Sequence, residues 1–244
     1  MLGGMRRALR AAAAGICGIL TVWAGAGAAK AESLPFFPLV QGLSWTYAGT
    51  VSWPGHRTPI VWKSEIVGVV RGADLVAARF RGMPFDLSGY APGLKPEDSI
   101  VAEVRGRGVF IATGPAVTRL WREIRRGRDG GYVRAQAARG GEFVPLFPYP
   151  LRPTDPAAAA AVAALGGTMQ VVSAPRPFDV ARVAGSPLKP GEKADAWPVG
   201  FSAGTERTTF SFVPRLGIVS YDDHAGPVQV SVRLVRIAWE KIGD

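Results

Sequence analysis

Residues 42–53 read GLSWTYAGTVSW, and large apolar side chains recur there at every second position. Successive side chains of a β-strand point to opposite faces, so this alternation predicts a half-buried strand and disfavours a helix. A strand is not stable alone, so it needs pairing partners and a covered face. The predicted covered face carries Leu43, Trp45, Tyr47, Val51 and Trp53.

The same alternation recurs in both halves of the chain. Residues 54–56, Pro-Gly-His, predict a hairpin turn between the first two strands. The segment 216–226 predicts a short strand that ends in a polar turn. The other predicted strands cover residues 59–70 and 73–80, two segments within 99–114, and residues 206–214 and 227–239.

Two segments follow a helical period instead. Residues 115–128 place apolar side chains on one face and arginines mostly elsewhere, and residues 155–167 combine a possible Asp cap, a proline and an alanine run. Residues 142–156 and 185–198 are rich in proline or glycine, so we expect loops there. The apolar positions of the first helix are Val117, Leu120, Trp121 and Ile124.

These elements predict a mainly β protein. We expect a curved antiparallel sheet or half-barrel of about eight to ten strands, with one or two helices packed on it. Helices that cover an open sheet also protect its edges, which favours this arrangement over a flat sandwich. Residues 32–244 are expected to form a single β-rich domain.

The first 31 residues have the layout of a secretory signal peptide. Arg6, Arg7 and Arg10 precede an acid-free stretch rich in Ala and Gly, and small residues surround the expected cleavage site near Ala31. The apolar stretch is also just long enough for a retained membrane anchor, which stays as the alternative. We therefore expect a periplasmic or secreted protein.

Charge and cysteine content limit the possible functions. The chain has 29 basic and 19 acidic residues and a formal net charge of +10. Four of the basic residues and none of the acidic residues lie in the first 31 positions, so residues 32–244 carry a net charge of +6. A moderately basic exported protein suits an anionic membrane surface or a glycan, and we do not expect nucleic acid as a partner. The single cysteine is Cys17, so the mature chain should contain neither disulfides nor thiols.

Side chains suited to catalysis are sparse. The histidines are His56 and His224, and no pair of carboxylates stands out. The densest polar cluster is Asp222, Asp223 and His224, which we interpret as a polar hairpin turn closed by Gly226 in preference to a metal site. We therefore expect no catalytic residues, no metal, no cofactor and no enzymatic activity.

Two functions remain open for such a protein. In the first, the concave face of the sheet binds or carries a lipid or another apolar small molecule. In the second, the outside of the protein, including its arginine-rich helix, contacts an envelope protein, a glycan or an anionic membrane surface. The aromatic face can also simply fill the core. The candidate ligand-binding residues are Trp45, Tyr47, Trp53, Trp62, Phe210 and Phe212.

Two segments resemble bacterial exported proteins of unassigned function. Residues 36–47 (FFPLVQGLSWTY) are similar to their FPL..G..W.Y opening, and residues 210–234 (FSFVPRLGIVSYDDHAGPVQVSVRL) are similar to their F.FvPGiGiv.y.Y.HHGT..ev.l.L close. Those families are related to TapB-like proteins, and the resemblance implies export and the curved sheet of lipoprotein-carrier proteins, without an activity. The closing pattern is not matched at Arg215, Asp223, Ala225 and Pro227, so no role of paired histidines is carried over.

Overall fold

A computed structural model describes residues 37–83, 97–148, 151–155, 157, 170–203 and 206–239. These residues form twelve β-strands and two α-helices, and every pair of named strands is antiparallel. The predicted mainly β class with helices is confirmed. The number of strands was underestimated, because two short strands and two proline-containing strands lie in segments that lack a clear alternation.

The elements follow one another as the hairpins and meanders of an antiparallel fold. The strands are β1 (Leu43–Trp53), β2 (His56–Arg71), β3 (Leu75–Arg81), β4 (Asp98–Val104), β5 (Gly108–Thr113), β6 (Val144–Pro148), β7 (Gln170–Val172), β8 (Arg176–Phe178), β9 (Ala194–Ala203), β10 (Glu206–Val213), β11 (Gly217–Ala225) and β12 (Val228–Trp239). The helices α1 (Val117–Gly127) and α2 (Gly130–Ala138) lie between β5 and β6, and a 3-10 turn covers Val180–Arg182.

The sheet runs in the order β6-β5-β4-β3-β2-β1-β12-β11-β10-β9-β7 and curls into a nearly closed barrel, with β8 paired to β9 off this path. Its two ends are joined by side-chain and loop contacts. The Gln170 side-chain amide donates to the Leu146 carbonyl, and Thr154 exchanges two hydrogen bonds of 2.8 Å with Val172. Closure satisfies groups that an open sheet edge would leave unpaired.

Aromatic side chains fill the interior of the barrel. Phe37 lies 5.7–6.5 Å from the ring centroids of Phe80, Phe147 and Phe212, and Trp45 packs on Phe80 at 5.6 Å. Each of these side chains is at most 3% exposed. Aromatic pairs at such separations add directional contacts to the burial of apolar surface, so they form the centre of the interior core.

A second core lies on the outer face of β3, β4 and β5, beneath the two helices. The helix predicted from residue 115 onward is confirmed as α1, and all four of its predicted apolar residues are buried. Neighbouring residues of a strand point to opposite sides, so Ala77 belongs to the outer core and Ala78 to the interior core. Trp121 lies over β2, where a Cβ atom at Gly68 would come within 3.1 Å of its ring.

Parts of the two segments that were predicted as loops, residues 142–156 and 185–198, are strands. Residues 144–148 form β6, where prolines are tolerated because an edge strand leaves one side unpaired. Residues 194–203 form β9, and Pro198 falls between the stretches that pair with β8 and with β7, so its missing N–H costs no sheet hydrogen bond on that side.

The second observed helix was not predicted. It begins after Asp129, whose carboxylate accepts the Gly131 N–H at 2.7 Å and so caps the first turn. The helix begins with two glycines and has only a weak amphipathic pattern, so the spacing of its apolar residues does not predict it. The helix predicted over residues 155–167 lies almost entirely outside the described residues.

Candidate functional site

The aromatic side chains of β1 reach across the barrel interior. The Trp45 indole N–H donates to the Leu216 carbonyl at 2.7 Å, and the Tyr47 hydroxyl donates to the Ile218 carbonyl at 2.9 Å. Because β12 lies between β1 and β11 in the sheet, the Tyr47 bond connects two strands that do not pair, and the Trp45 bond connects β1 to the turn that precedes β11. Burial raises the pKa of the Tyr47 hydroxyl far above its ordinary value, so this group remains a neutral donor.

The other predicted ligand-binding residues occupy two environments. Phe210 and Phe212 are fully buried in the interior core, and the buried Trp62 donates its indole N–H to the Gly82 carbonyl at 2.6 Å. Trp53 is 41% exposed at the tip of the first hairpin, where its ring stacks on a histidine. Five of the six residues thus make core contacts. That the six together bind a ligand remains a prediction.

The predicted polar turn was placed too early in the sequence. Residues 222–224 lie within β11, which pairs there with both β10 and β12, and the turn itself is at residues 226–227. Pairing on both sides satisfies the backbone of these polar residues, so their low intrinsic strand preference is overridden by their neighbours.

The three residues of this polar cluster point to opposite faces of β11. Asp222 accepts from Arg233 at 3.0 Å on the outer surface, and His224 is exposed. Asp223 is 5% exposed, and the Thr208 hydroxyl donates to it. Strand alternation therefore prevents the cluster from surrounding one ion, and no group of three or more potential metal ligands occurs among the described residues.

On the outside of the barrel, a cleft of about 620 Å³ separates the end of α1 from the chain segment that enters β1. It contains Arg71 at the end of β2, Arg125 in the last turn of α1, and Arg128 directly after α1. We call this site the arginine cleft. Its remaining lining residues are Val40, Gln41, Val69 and Val70.

Backbone contacts hold two of these arginines in place. An Arg71 guanidinium N–H donates to the Leu39 carbonyl at 3.1 Å. Arg128 ends α1 in the left-handed conformation, with φ of 50°, and its N–H donates to the Ile124 carbonyl at 2.7 Å. A Cβ atom at Gly72 would lie 1.9 Å from the Arg128 carbonyl oxygen, so the turn after β2 and the end of α1 touch through their backbones.

The arginine cleft carries uncompensated positive charge. Elsewhere on α1, Arg119 pairs with Glu142 and Arg126 pairs with Glu123, and the hydrogen bond and charge of Glu142 raise the pKa of Arg119. None of the three cleft arginines forms an ion pair with another residue in the described part of the chain. The cleft therefore attracts anions.

Sequence reasoning found only part of this site. The arginines of α1 are visible as a charged side of a predicted helix, but Arg71 and Gln41 reach the cleft from distant segments and have no local signal of their own. No helix in the part of the chain that the structure describes is long and apolar enough to cross a membrane.

No family model matches the chain, and no curated protein matches it. Among solved structures, the chain is similar to a Bacteroides fragilis protein inferred to be exported, with a YmcC-like fold (11% identity, 84% of this chain and 99% of that one, TM-score 0.41). It is also similar to a protein of Parabacteroides distasonis inferred to be a lipoprotein (12%, 85% and 100%, TM-score 0.39). A third is a β-barrel-like protein of the domain of unknown function DUF1849 from Brucella abortus (11%, 82% and 98%, TM-score 0.34). These scores are too low to transfer a ligand or an activity to this chain.

Proposed function

We propose that the protein is an exported, non-catalytic module that acts through its outer surface, by binding an anionic membrane surface with the arginine-bearing side of α1. The main support is the contrast between the two sides of the barrel. The interior is occupied by buried aromatic side chains, whereas the exposed outer helix presents arginines with no acidic partner among the described residues.

The electrostatics of α1 suit a peripheral contact. Arg122, Arg125 and Arg128 are exposed, and each basic residue held near an anionic bilayer contributes about 1 kcal/mol of attraction. The apolar side of α1 is already packed on the barrel, so the helix has no free apolar face to insert into the bilayer. The contact should therefore be reversible and weakened by salt.

The non-catalytic part of the proposal rests on the geometry of β11. Asp223 faces inward, whereas Asp222 and His224 face outward, so the three groups do not converge on one substrate. The Asp222 carboxylate already accepts hydrogen bonds from Ser231 and Arg233. The Gly-x-Ser-x-Gly sequence at residues 200–204 does not change this, because β9 ends at Ala203 and β10 begins at Glu206, whereas a nucleophile elbow joins a strand to a helix.

A second candidate is a module that binds a lipid-like apolar molecule on the concave face. The exposed ring of Trp53, stacked on His56 with centroids 5.4 Å apart, favours it at the hairpin end of the barrel. Deeper in the barrel such a ligand would have to displace aromatic side chains that already contact one another. The outer-surface function is therefore better supported.

Vesicle sedimentation tests the proposal. The exported protein should sediment with vesicles of phosphatidylcholine and phosphatidylglycerol, and not with vesicles of phosphatidylcholine alone. Replacing Arg122 and Arg125 together with alanine should weaken this binding. The matched control replaces Arg176 and Arg207, which are exposed on β8 and β10, and should bind as the wild type does. Equal binding to both vesicle types would overturn the proposal.

A further inference from the structure

We infer that the arginine cleft is a binding site for a phosphate group, carried either by a lipid headgroup or by a soluble phosphate compound. The inference rests on the proposed function and deepens it, because it separates a general attraction to anionic surfaces from a defined site. The site consists of Arg71, Arg125 and Arg128, with three valines and Gln41 as its walls.

The three guanidinium groups come from three different points of the fold. They are supplied by the end of β2, the last turn of α1 and the residue after α1. Guanidinium groups are planar, and their N–H groups match pairs of phosphate oxygens. The hydrogen bond from Arg71 to Leu39 positions one guanidinium group before any ligand arrives, which lowers the entropy cost of binding, and the close contact of Gly72 with Arg128 fixes the backbone that carries a second.

The charge balance of the cleft also favours an anion. The C-terminal end of a helix carries about half a negative charge, which cannot offset three guanidinium groups. The acidic residues nearest in sequence to these arginines have other partners. Glu123 pairs with Arg126. Asp74 accepts the Gly130 N–H at 3.0 Å, and Asp129 accepts the Gly131 N–H at 2.7 Å. A phosphate dianion would supply the negative charge that the cleft lacks.

The size and the walls of the cleft indicate what the phosphate is attached to. A volume of about 620 Å³ is typical of small-molecule sites and exceeds what a bare phosphate fills. Gln41 adds a neutral polar group beside the arginines, whereas Val69 packs against the interior core and Val70 belongs to the outer core. A phosphate carried by a larger molecule therefore fits the volume better than a compact inorganic anion, although inorganic phosphate should still occupy the charged part.

Calorimetric titration with inorganic phosphate at constant ionic strength measures the site directly. The wild-type protein should bind phosphate saturably, and Arg125→Ala should weaken binding by about 10- to 100-fold, the loss expected for a charge-assisted hydrogen bond. Arg125→Lys keeps the positive charge but lacks the planar guanidinium group, so its phosphate affinity should lie between those of the wild type and Arg125→Ala. Arg122→Ala removes the same charge one helical turn earlier, outside the cleft, and should bind phosphate as the wild type does.

Vesicles that contain phosphatidic acid, whose headgroup is a phosphate monoester, distinguish the two sources of the ligand. At constant ionic strength, release of the bound protein by inorganic phosphate but not by chloride would place the lipid headgroup in the cleft, and continued vesicle binding would assign the cleft to a soluble phosphate compound. The proposed function fails if anionic vesicles are not bound, whatever the titration shows. The phosphate site fails if phosphate does not bind saturably, or if Arg122→Ala and Arg125→Ala weaken its binding equally.

Discussion

The carbonyl oxygen of Arg128 lies 1.9 Å from the position that a Cβ atom of residue 72 would occupy, which only glycine leaves empty. The turn after β2 and the end of α1 therefore meet backbone to backbone. Arg71 precedes this contact and Arg128 belongs to it, so the same contact that seats the helix also brings two guanidinium groups to one cleft.

Gly72→Ala should destabilise the protein by about 1–3 kcal/mol, because the added methyl group must push the helix end away from β2. The midpoint of urea denaturation measures this change. Gly127→Ala is the matched control: no atom lies within 4 Å of its added Cβ, and alanine is the better helix former, so stability should be equal or slightly higher. A Gly72→Ala protein that unfolds at the wild-type midpoint would show that the contact is not rigid.

Trp121→Ala should cost about 3–5 kcal/mol, since it removes the largest side chain between α1 and the barrel and leaves a cavity over Gly68. Denaturation followed by circular dichroism measures the loss. Phosphate affinity should fall in parallel, because Arg125 then loses its fixed position. Unchanged stability of this variant would contradict the docking of α1 described here.

Tyr47→Phe should destabilise the protein by about 1–3 kcal/mol at neutral pH, because it leaves the buried Ile218 carbonyl without its donor. Equilibrium unfolding in urea gives the difference. A variant as stable as the wild type would mean that this carbonyl finds another donor.

The same residue makes stability depend on alkaline pH. The Tyr47 pKa is raised above its ordinary value of 10.0, so the folded protein holds this proton more tightly than the unfolded chain does. The resulting stability is present below about pH 10 and is lost as the pH rises further. Wild-type stability should therefore fall more steeply above that pH than the stability of Tyr47→Phe. Parallel pH profiles for the two proteins would contradict a buried, neutral Tyr47.

Divalent cations should not stabilise the protein through the polar residues of β11, because Asp222 and Asp223 face opposite sides of the strand. Melting temperatures with and without Zn²⁺, Mg²⁺ or Ca²⁺ check this. A cation-induced increase in melting temperature that is lost in Asp222→Asn and also in Asp223→Asn would indicate that the two carboxylates share an ion.

Alternation and helical spacing predicted the elements whose burial follows the local sequence. The first hairpin, the four apolar residues of α1 and the covered face of β1 lie where their spacing indicated, except that Trp53 at the end of β1 is exposed. Strands were missed where tertiary pairing decides the outcome, as in β6, whose prolines are acceptable only because the strand lies at the edge of the sheet.

The candidate site was harder to predict than the fold. The arginines of α1 are visible in the sequence, but their meeting with Arg71 depends on the tight packing at Gly72, for which a single glycine is the only local sign. The prediction of a turn at residues 222–224 was wrong for a related reason. The length of β11 decides whether these residues form a turn or alternate between two faces of a strand. Pairing with β10 and β12 sets that length.

Native mass spectrometry of the protein, purified without detergent, tests most directly whether the barrel interior holds only the protein's own side chains. The Arg125→Ala variant should be measured beside the wild type, so that a ligand of the outer cleft is recognised by its loss in the variant. We expect the variant to have the mass of the polypeptide alone. An adduct of lipid mass that persists in Arg125→Ala would place a guest among the interior aromatic residues and contradict a function carried by the outer surface.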